Sequence, residues 1–206
     1  FHSDAAQSMT TKPIDVKSSN VDLLSLSAHK IYGPKGIGAL YIKKGTNNRL
    51  QPLLWGGGQE QGLRSGTLPT PLCVGFGAAA KIIENEKKKI ISEVAKLRNL
   101  FYEELKNKRP EIKLIGPNIE DRHVGNLSIC FKGYEAEDLI SVLQPNLAAS
   151  SGSACTSGIP EPSHVLSALG LSSEDAKSII RFSFGKYIVS SDIIEAINIL
   201  LKSLDK

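Results

Sequence analysis

Apolar and polar positions alternate with two different periods along this chain. Residues 23–27 and 37–43 are short Ile/Leu-rich runs, the second bounded by glycines, and both read as buried strands. Between them, Tyr32-Gly33-Pro34-Lys35-Gly36 has the composition of a turn. From Pro71 to Lys108 the period lengthens. Ala78-Ala79-Ala80, Ile82-Ile83, Ile90-Ile91, Val94-Ala95, Leu97 and Leu100-Phe101 recur at helical spacing, with lysines and glutamates filling the gaps. This predicts one long helix or two joined helices, stopped by Pro110. The chain then alternates. Residues 113–115, 126–131 and 179–184 read as strands, 147–150 as a short strand, and 135–143, 163–169 and 190–204 as helices. Such alternation means α/β or α+β architecture, with a boundary between two lobes near residues 80–110.

Two stretches follow neither period. Residues 45–66 are Gly-rich and include Gly56-Gly57-Gly58. A loop of that length is more often functional than idle. No helix start follows the three glycines closely, so they are not read as a phosphate-cradling loop of their own. Residues 150–158, Ser-Ser-Gly-Ser-Ala-Cys-Thr-Ser-Gly, place Cys155 among small residues that favour a mobile loop. A thiolate there suits a nucleophile that must move. Cys73 and Cys130 sit in apolar, helix-like or strand-like surroundings and read as buried structural cysteines.

Composition narrows the classes. Hydrophobic residues make up 41% and charged residues 22% of 206, with a net charge of +4. These are values of an ordinary globular chain. The run Lys87-Lys88-Lys89 reads as a solvated helix face, so no nucleic-acid partner is expected. No apolar run reaches the roughly 20 residues of a membrane span. Three dispersed cysteines without metal-ligand spacing argue against a structural zinc site and a disulfide framework, and favour a reducing compartment. The chain opens on Phe1 and runs at once into motif-rich sequence, which reads as a fragment whose native N-terminus lies elsewhere.

Lys30 ends Ser27-Ala28-His29-Lys30, after a predicted strand and before a Gly-Pro turn. Lysine amines form imines with carbonyls, and burial makes them nucleophilic. The plainer reading is a solvated lysine. His2, His123 and His164 read as surface or capping residues, with His123 close to the start of a strand.

Taken together, His2-Ser3-Asp4-Ala5-Ala6-Gln7, the run from Ser27 through Lys30 to Ile42, Gly56 to Thr67, Ser150 to Gly158 and Ile180 to Gly185 resemble the cysteine desulfurases of iron–sulfur cluster assembly (Isc/Nif type). These belong to the class V aminotransferase family. The resemblance covers the whole chain and places it in the C-terminal half. It implies an α/β fold, a fragment of an aspartate-aminotransferase-like, fold type I, pyridoxal-phosphate-dependent transferase. Residues 1–80 would be part of the large cofactor-binding domain, 81–110 an interdomain helix, and 111–206 the small domain carrying Cys155.

The resemblance also implies roles. Lys30 would anchor pyridoxal 5'-phosphate. Asp4 would pair with the pyridine nitrogen and Gln7 with the ring oxygen. Ser27 and His29 would bind the phosphate, and Thr67 would reach the phosphate of a neighbouring subunit, implying a homodimer. Arg181, as a buried arginine, would hold the carboxylate of L-cysteine, with an interdomain salt bridge as the bland alternative. Cys155 would accept sulfur as a persulfide, leaving L-alanine, and would pass it to an iron–sulfur scaffold or another acceptor protein. As a metal ligand, Cys155 would serve only transiently, for a cluster shared with the scaffold. A cytoplasmic location follows, an organelle being the alternative.

The family's N-terminal half supplies a Gly/Thr phosphate turn, a histidine stacked on the ring and an asparagine near it. This chain alone is therefore expected to be inactive. Lys186 stands where the family has an arginine, and the short C-terminus puts scaffold docking in question. The alternatives are another class V enzyme, a selenocysteine lyase or an aminotransferase, and a non-catalytic binding fragment. The Ser/Gly-rich loop argues against an aminotransferase, which needs no mobile thiol.

Overall fold

The computed structural model describes residues 1–46, 49–151 and 163–205. The chain divides into two compact units, Phe1–Ile91 and Ser92–Lys206.

The first unit holds a three-stranded sheet in the order β1 (His2–Asp4), β2 (Leu23–Ser27), β3 (Gly38–Ile42). β1 runs parallel to β2, with Asp4 opposite Ser25, and β3 runs antiparallel, with Leu40 opposite Ser25. Side chains alternate across a strand. One face therefore carries His2, Asp4, Ser25 and Ser27. The other carries Leu24, Leu26 and Tyr41, which pack with Ala5, Val21 and Val16. β1 is absent from the sequence expectation because three residues are too few to show a period. β3 was expected to be buried, but its first three residues are exposed. Among the described residues it is an edge strand, paired with β2 alone.

α1 (Thr70–Lys108) is a single helix that crosses the division between the units. Pro71 lies in its first turn, where a missing N–H costs nothing. At the other end Lys106 Nζ donates to the carbonyls of Pro110 and Ile112, at 2.6 and 2.7 Å. Lys88 and Lys89 are exposed as expected, while Lys87 Nζ donates to the Lys12 carbonyl at 3.0 Å.

The second unit holds the sheet β4 (Lys113–Leu114), β5 (Asn126–Cys130), β6 (Ile179–Ser183), all antiparallel. The period of two decides its packing. Leu127, Ile129, Ile180 and Phe182 face a core shared with Phe101 and Leu105 of α1, Leu139 and Leu143 of α2 (Ala136–Leu143), and Ile193, Ile197 and Leu200 of α5 (Ser190–Leu204). Phe101 meets Phe182 with ring centroids 4.9 Å apart. Each fully buried side chain of this size stabilises by roughly 1.5–3 kcal/mol relative to exposure. The opposite face carries Cys130 and Ile179, which pack with Leu166 of α3 (His164–Ala168) and Ala176 of α4 (Ser173–Lys177). α4 was not expected. Its cap was visible in the sequence, because Ser172 Oγ accepts the Asp175 N–H at 3.0 Å.

Candidate functional site

The residues expected to hold the cofactor converge in the first unit. Parallel β1 and β2 end at the same edge of their sheet, and ligands in α/β proteins favour the carboxyl ends of strands. Asp4 is the last residue of β1 and Ser27 the last of β2. Both point to the same face, since Asp4 pairs with Ser25 two positions earlier. After β1 the chain turns at once. Asp4 Oδ1 accepts the Ala6 N–H at 2.9 Å, and Ser8 N–H donates to the Ala5 carbonyl at 3.0 Å, which keeps exposed Gln7 beside the strand end.

After β2 the chain enters a 3-10 turn, Ala28–Ile31, that contains His29 and Lys30. Ala28 and Ile31 are buried and anchor the turn, leaving His29 and Lys30 exposed. Lys30 is thus as accessible as the plainer reading of a solvated lysine has it. Among the described residues Lys30 Nζ has no hydrogen-bond or ion-pair partner. Ser27 Oγ and His29 Nδ1 are linked at 3.0 Å. Tyr32 closes the turn in the left-handed region, at φ 64°, with its N–H on the Ala28 and His29 carbonyls. Gly33 follows because there is no room for more. A Cβ there would lie 2.9 Å from the Ala28 carbonyl oxygen and 3.1 Å from Ala79 Cβ on α1.

This donor set fits pyridoxal phosphate. It offers a free amine for the aldehyde carbon, a carboxylate for the pyridine nitrogen, and a hydroxyl and an imidazole for the phosphate. Thr67 lies in the loop before α1 and is exposed. That loop is bent sharply, with Glu60 and Gln61 both in the left-handed region at φ 52° and 57°. Non-glycine residues there cost on the order of 1–3 kcal/mol each.

The second unit holds the remaining expected residues. Arg181 is half-buried on β6, on the face opposite the Phe182 core, and not fully buried as expected. Its backbone pairs on both flanks, with Ser128 of β5 on one side and with Ser150 on the other. The Arg181 N–H donates to the Ser150 carbonyl at 2.7 Å, and the Ser150 N–H to the Arg181 carbonyl at 3.2 Å. The strand expected over 147–150 is thus reduced to this one bridge. The sequence signalled extended chain here but not which strand Ser150 pairs with. Cys155 and its loop lie outside the described residues.

The other cysteines separate. Cys130 is buried as expected, and burial, then the nearby Asp175 charge, pushes its thiol up, which keeps it protonated. Cys73 is exposed, a correction, because it sits on the outer side of α1's first turns. His123 is a turn cap, with Nδ1 accepting the Gly125 N–H at 3.1 Å. His2 and His164 are exposed. Among the described residues, no group of three or more His, Cys, Asp or Glu is placed to hold a metal ion, and no helix is long and apolar enough to cross a membrane.

Comparison with known proteins gives one consistent result. The chain is 49% identical over 206 residues to "Cysteine desulfurase IscS" of Rickettsia typhi and 48% identical to that of Rickettsia prowazekii, covering all of this chain and 50% of each relative. It therefore spans about half the length of the curated relatives it matches. Among solved structures, a NifS-like protein matches with TM-score 0.87 at 32% identity over 99% of this chain and 52% of its own. A NifS-like protein from Rickettsia africae matches with TM-score 0.88 at 30% identity over 100% of this chain and 54% of its own. The family model described as "Aminotransferase class-V" matches residues 1–195. That match runs through the sheets of both units, so the chain belongs to the class V aminotransferases, a family dependent on pyridoxal phosphate.

Proposed function

We propose that this chain carries the lysine and the thiol of a cysteine desulfurase, converting L-cysteine to L-alanine with a persulfide on Cys155 and supplying sulfur for iron–sulfur cluster assembly. The observation that carries the reading is the convergence of Asp4, Ser27, His29 and Lys30 at one end of parallel β1 and β2. The likeness to proteins named cysteine desulfurase supports the choice of substrate. Residues 1–80 then serve as part of the cofactor domain, 81–110 as the interdomain helix and 111–206 as the small domain. The chain works with a polypeptide corresponding to the other half of its relatives' length, as a homodimer in the cytoplasm. An iron–sulfur scaffold or another acceptor protein takes the sulfur.

Bound pyridoxal phosphate supplies an electron sink conjugated to the substrate's Cα. Asp4 would hold the pyridine nitrogen protonated, and Ser27 and His29 would hold the phosphate. The Lys30 amine would take the Cα proton. Arg181 pairs with the substrate carboxylate, for which its planar fork is suited. The Cys155 thiolate attacks the substrate sulfur. A sulfur–sulfur bond forms and the substrate's carbon–sulfur bond breaks. Its electron pair stays on Cβ, which takes up a proton, and Lys30 returns the proton to Cα, so that the product leaves as alanine. The two sulfurs each lose one electron and the substrate Cβ gains two, so no outside oxidant is needed. Cys155 follows Ser150 by five positions, a tether of at most about 18 Å, and Ser150 is bridged to Arg181.

The test is an absorbance scan with pyridoxal phosphate, of the chain alone and combined with a polypeptide corresponding to the other half of its relatives' length, followed by alanine and sulfide assays with L-cysteine. A visible band in the combination that Lys30→Ala abolishes is expected, with alanine as product. Cys155→Ser should keep the band and lose sulfide release. Normal sulfide release by Cys155→Ser would overturn the assignment, and amino-group transfer without sulfide would make the enzyme an aminotransferase.

A further inference from the structure

The loop before α1 is closed by one side chain. Gln59 Oε1 accepts the Gly66 N–H at 3.0 Å, joining the Gly56–Gly58 end of the loop to the end that carries Thr67. The surrounding sequence is shaped around that amide. A Cβ at Gly57 would lie 3.1 Å from both Gln59 Oε1 and Nε2, and a Cβ at Gly56 would lie 3.2 Å from Ser65 Cβ. Gly66 sits at φ 124°, a backbone angle open to glycine. Ser65, next to it, is buried, and its N–H donates to the Leu54 carbonyl at 3.3 Å. The left-handed pair Glu60-Gln61 turns the chain back between these two ends, with the Gly62 N–H on the Gly58 and Gln59 carbonyls at 3.1 and 3.0 Å. Thr67 leaves this closed loop immediately after the clamped residue.

We infer that Gln59 is a positioning residue. By fixing Gly66 it sets the direction in which the Thr67 hydroxyl is presented to the cofactor phosphate. This rests on the reading that Thr67 binds that phosphate in a neighbouring copy. A residue acting through Thr67 must discriminate between ligands with and without the phosphate. A residue that merely holds the loop together does not.

The experiment titrates pyridoxal phosphate and pyridoxal into the apo-protein, assembled with the other half of its relatives' length, and follows the visible band. Thr67→Val should weaken pyridoxal phosphate about tenfold or more, the effect of one hydrogen bond to a charged group, and leave pyridoxal unchanged. Gln59→Met should do the same. Gln59→Glu, which keeps an acceptor oxygen, should restore binding to within about twofold, and the double variant should be no weaker than Thr67→Val alone. Should Gln59→Met fail to fold, Gln59→Asn, an amide one carbon short, takes its place. Equal losses for pyridoxal and pyridoxal phosphate, or additive losses in the double variant, would overturn the inference. Normal binding by Gln59→Met beside a weakened Thr67→Val would also overturn it while leaving the Thr67 reading intact. Normal binding by Thr67→Val would instead remove the Thr67 reading itself.

Discussion

Ser150 and Arg181 exchange two backbone hydrogen bonds, at 2.7 and 3.2 Å, so the residue that begins the Cys155 segment is fixed to the arginine proposed to hold the substrate. Ser150 Oγ also lies 3.5 Å from Arg181 Nη2. The bridge needs the Ser150 N–H, which proline lacks. Ser150→Pro should therefore lower the rate of persulfide formation by about tenfold or more, as expected when a reacting group is displaced. The visible band of the assembled protein should be unchanged, because Lys30 lies in the other unit. Arg181→Lys should act on substrate affinity, raising KM for L-cysteine, because a single ammonium cannot replace a two-pronged contact. Rapid-mixing alanine assays measure both. A Ser150→Pro variant with normal alanine formation would show that the bridge has no role in delivering the thiol.

Cys130 and Cys73 differ in surroundings, and chemistry should report it. Cys73 is exposed and Cys130 is buried with its thiol pushed up. Iodoacetamide at neutral pH should label Cys73 in the native chain and Cys130 only after denaturation, as read by peptide mass analysis. The raised thiol also has a thermodynamic consequence. The folded chain holds the Cys130 proton more tightly than the unfolded chain does. Its contribution to stability is complete below the unfolded thiol's pKa of about 8.5 and is lost as pH rises above it. The urea midpoint should fall between pH 8 and 10 more steeply in the native chain than in Cys130→Val. Equal slopes would remove the thiol from the account.

The motifs were legible because each is a run of residue types whose chemistry is rare together, such as the Ser27-to-Lys30 segment. The long helix and the final amphipathic helix were legible because dozens of positions vote on one period. β1 was not, since three residues cannot show alternation, yet it is what places Asp4 beside Ser27. Exposure was misread in both directions. Leu40 looked like a core residue and lies on an edge strand, and Cys73 looked buried on a helix whose apolar stripe faces elsewhere. The Gln59 clamp and the Ser150 bridge depend on which distant backbone groups meet. No local pattern encodes that.

Arg98 and Arg122 are both buried in the second unit, and burial pushes both guanidinium groups down. Among the described residues, Arg98 Nη1 and Arg122 Nε have no hydrogen-bond partner. The two are not equivalent. Among the described residues, Arg98 donates Nε and Nη2 to its neighbour Asn99, at 3.0 and 2.8 Å, and the Glu120 charge acts favourably on it. Arg122 Nη2 donates to the carbonyls of Ile115 and Pro117, two charge-assisted hydrogen bonds that tie down this turn. Arg98→Met removes one of two like charges and keeps the packing, so stability should change by less than about 1 kcal/mol or rise. Arg122→Met should cost about 2–3 kcal/mol. Urea unfolding of the two variants measures the difference. Equal losses would mean that Arg98 has a partner of its own.

Gly33 and Gly77 give the sharpest contrast within the first unit. A methyl group at Gly33 would press on the Ala28 carbonyl at 2.9 Å and on Ala79 Cβ at 3.1 Å, both of which hold the turn that carries Lys30. Neither neighbour is a flexible side-chain end, so the turn must shift. Gly33→Ala should lower stability by about 1–3 kcal/mol, the range for overpacking. It should also weaken cofactor attachment in the assembled protein, because the displaced backbone carries the lysine. At Gly77, inside α1, an added Cβ meets nothing within 4 Å. Gly77→Ala should instead stabilise by about 0.5–1 kcal/mol, since glycine gives up more backbone freedom than alanine in a helix. Thermal unfolding and the visible band read both variants together. A destabilised Gly33→Ala that still bound the cofactor with unchanged affinity would mean that the turn tolerates the shift without moving Lys30.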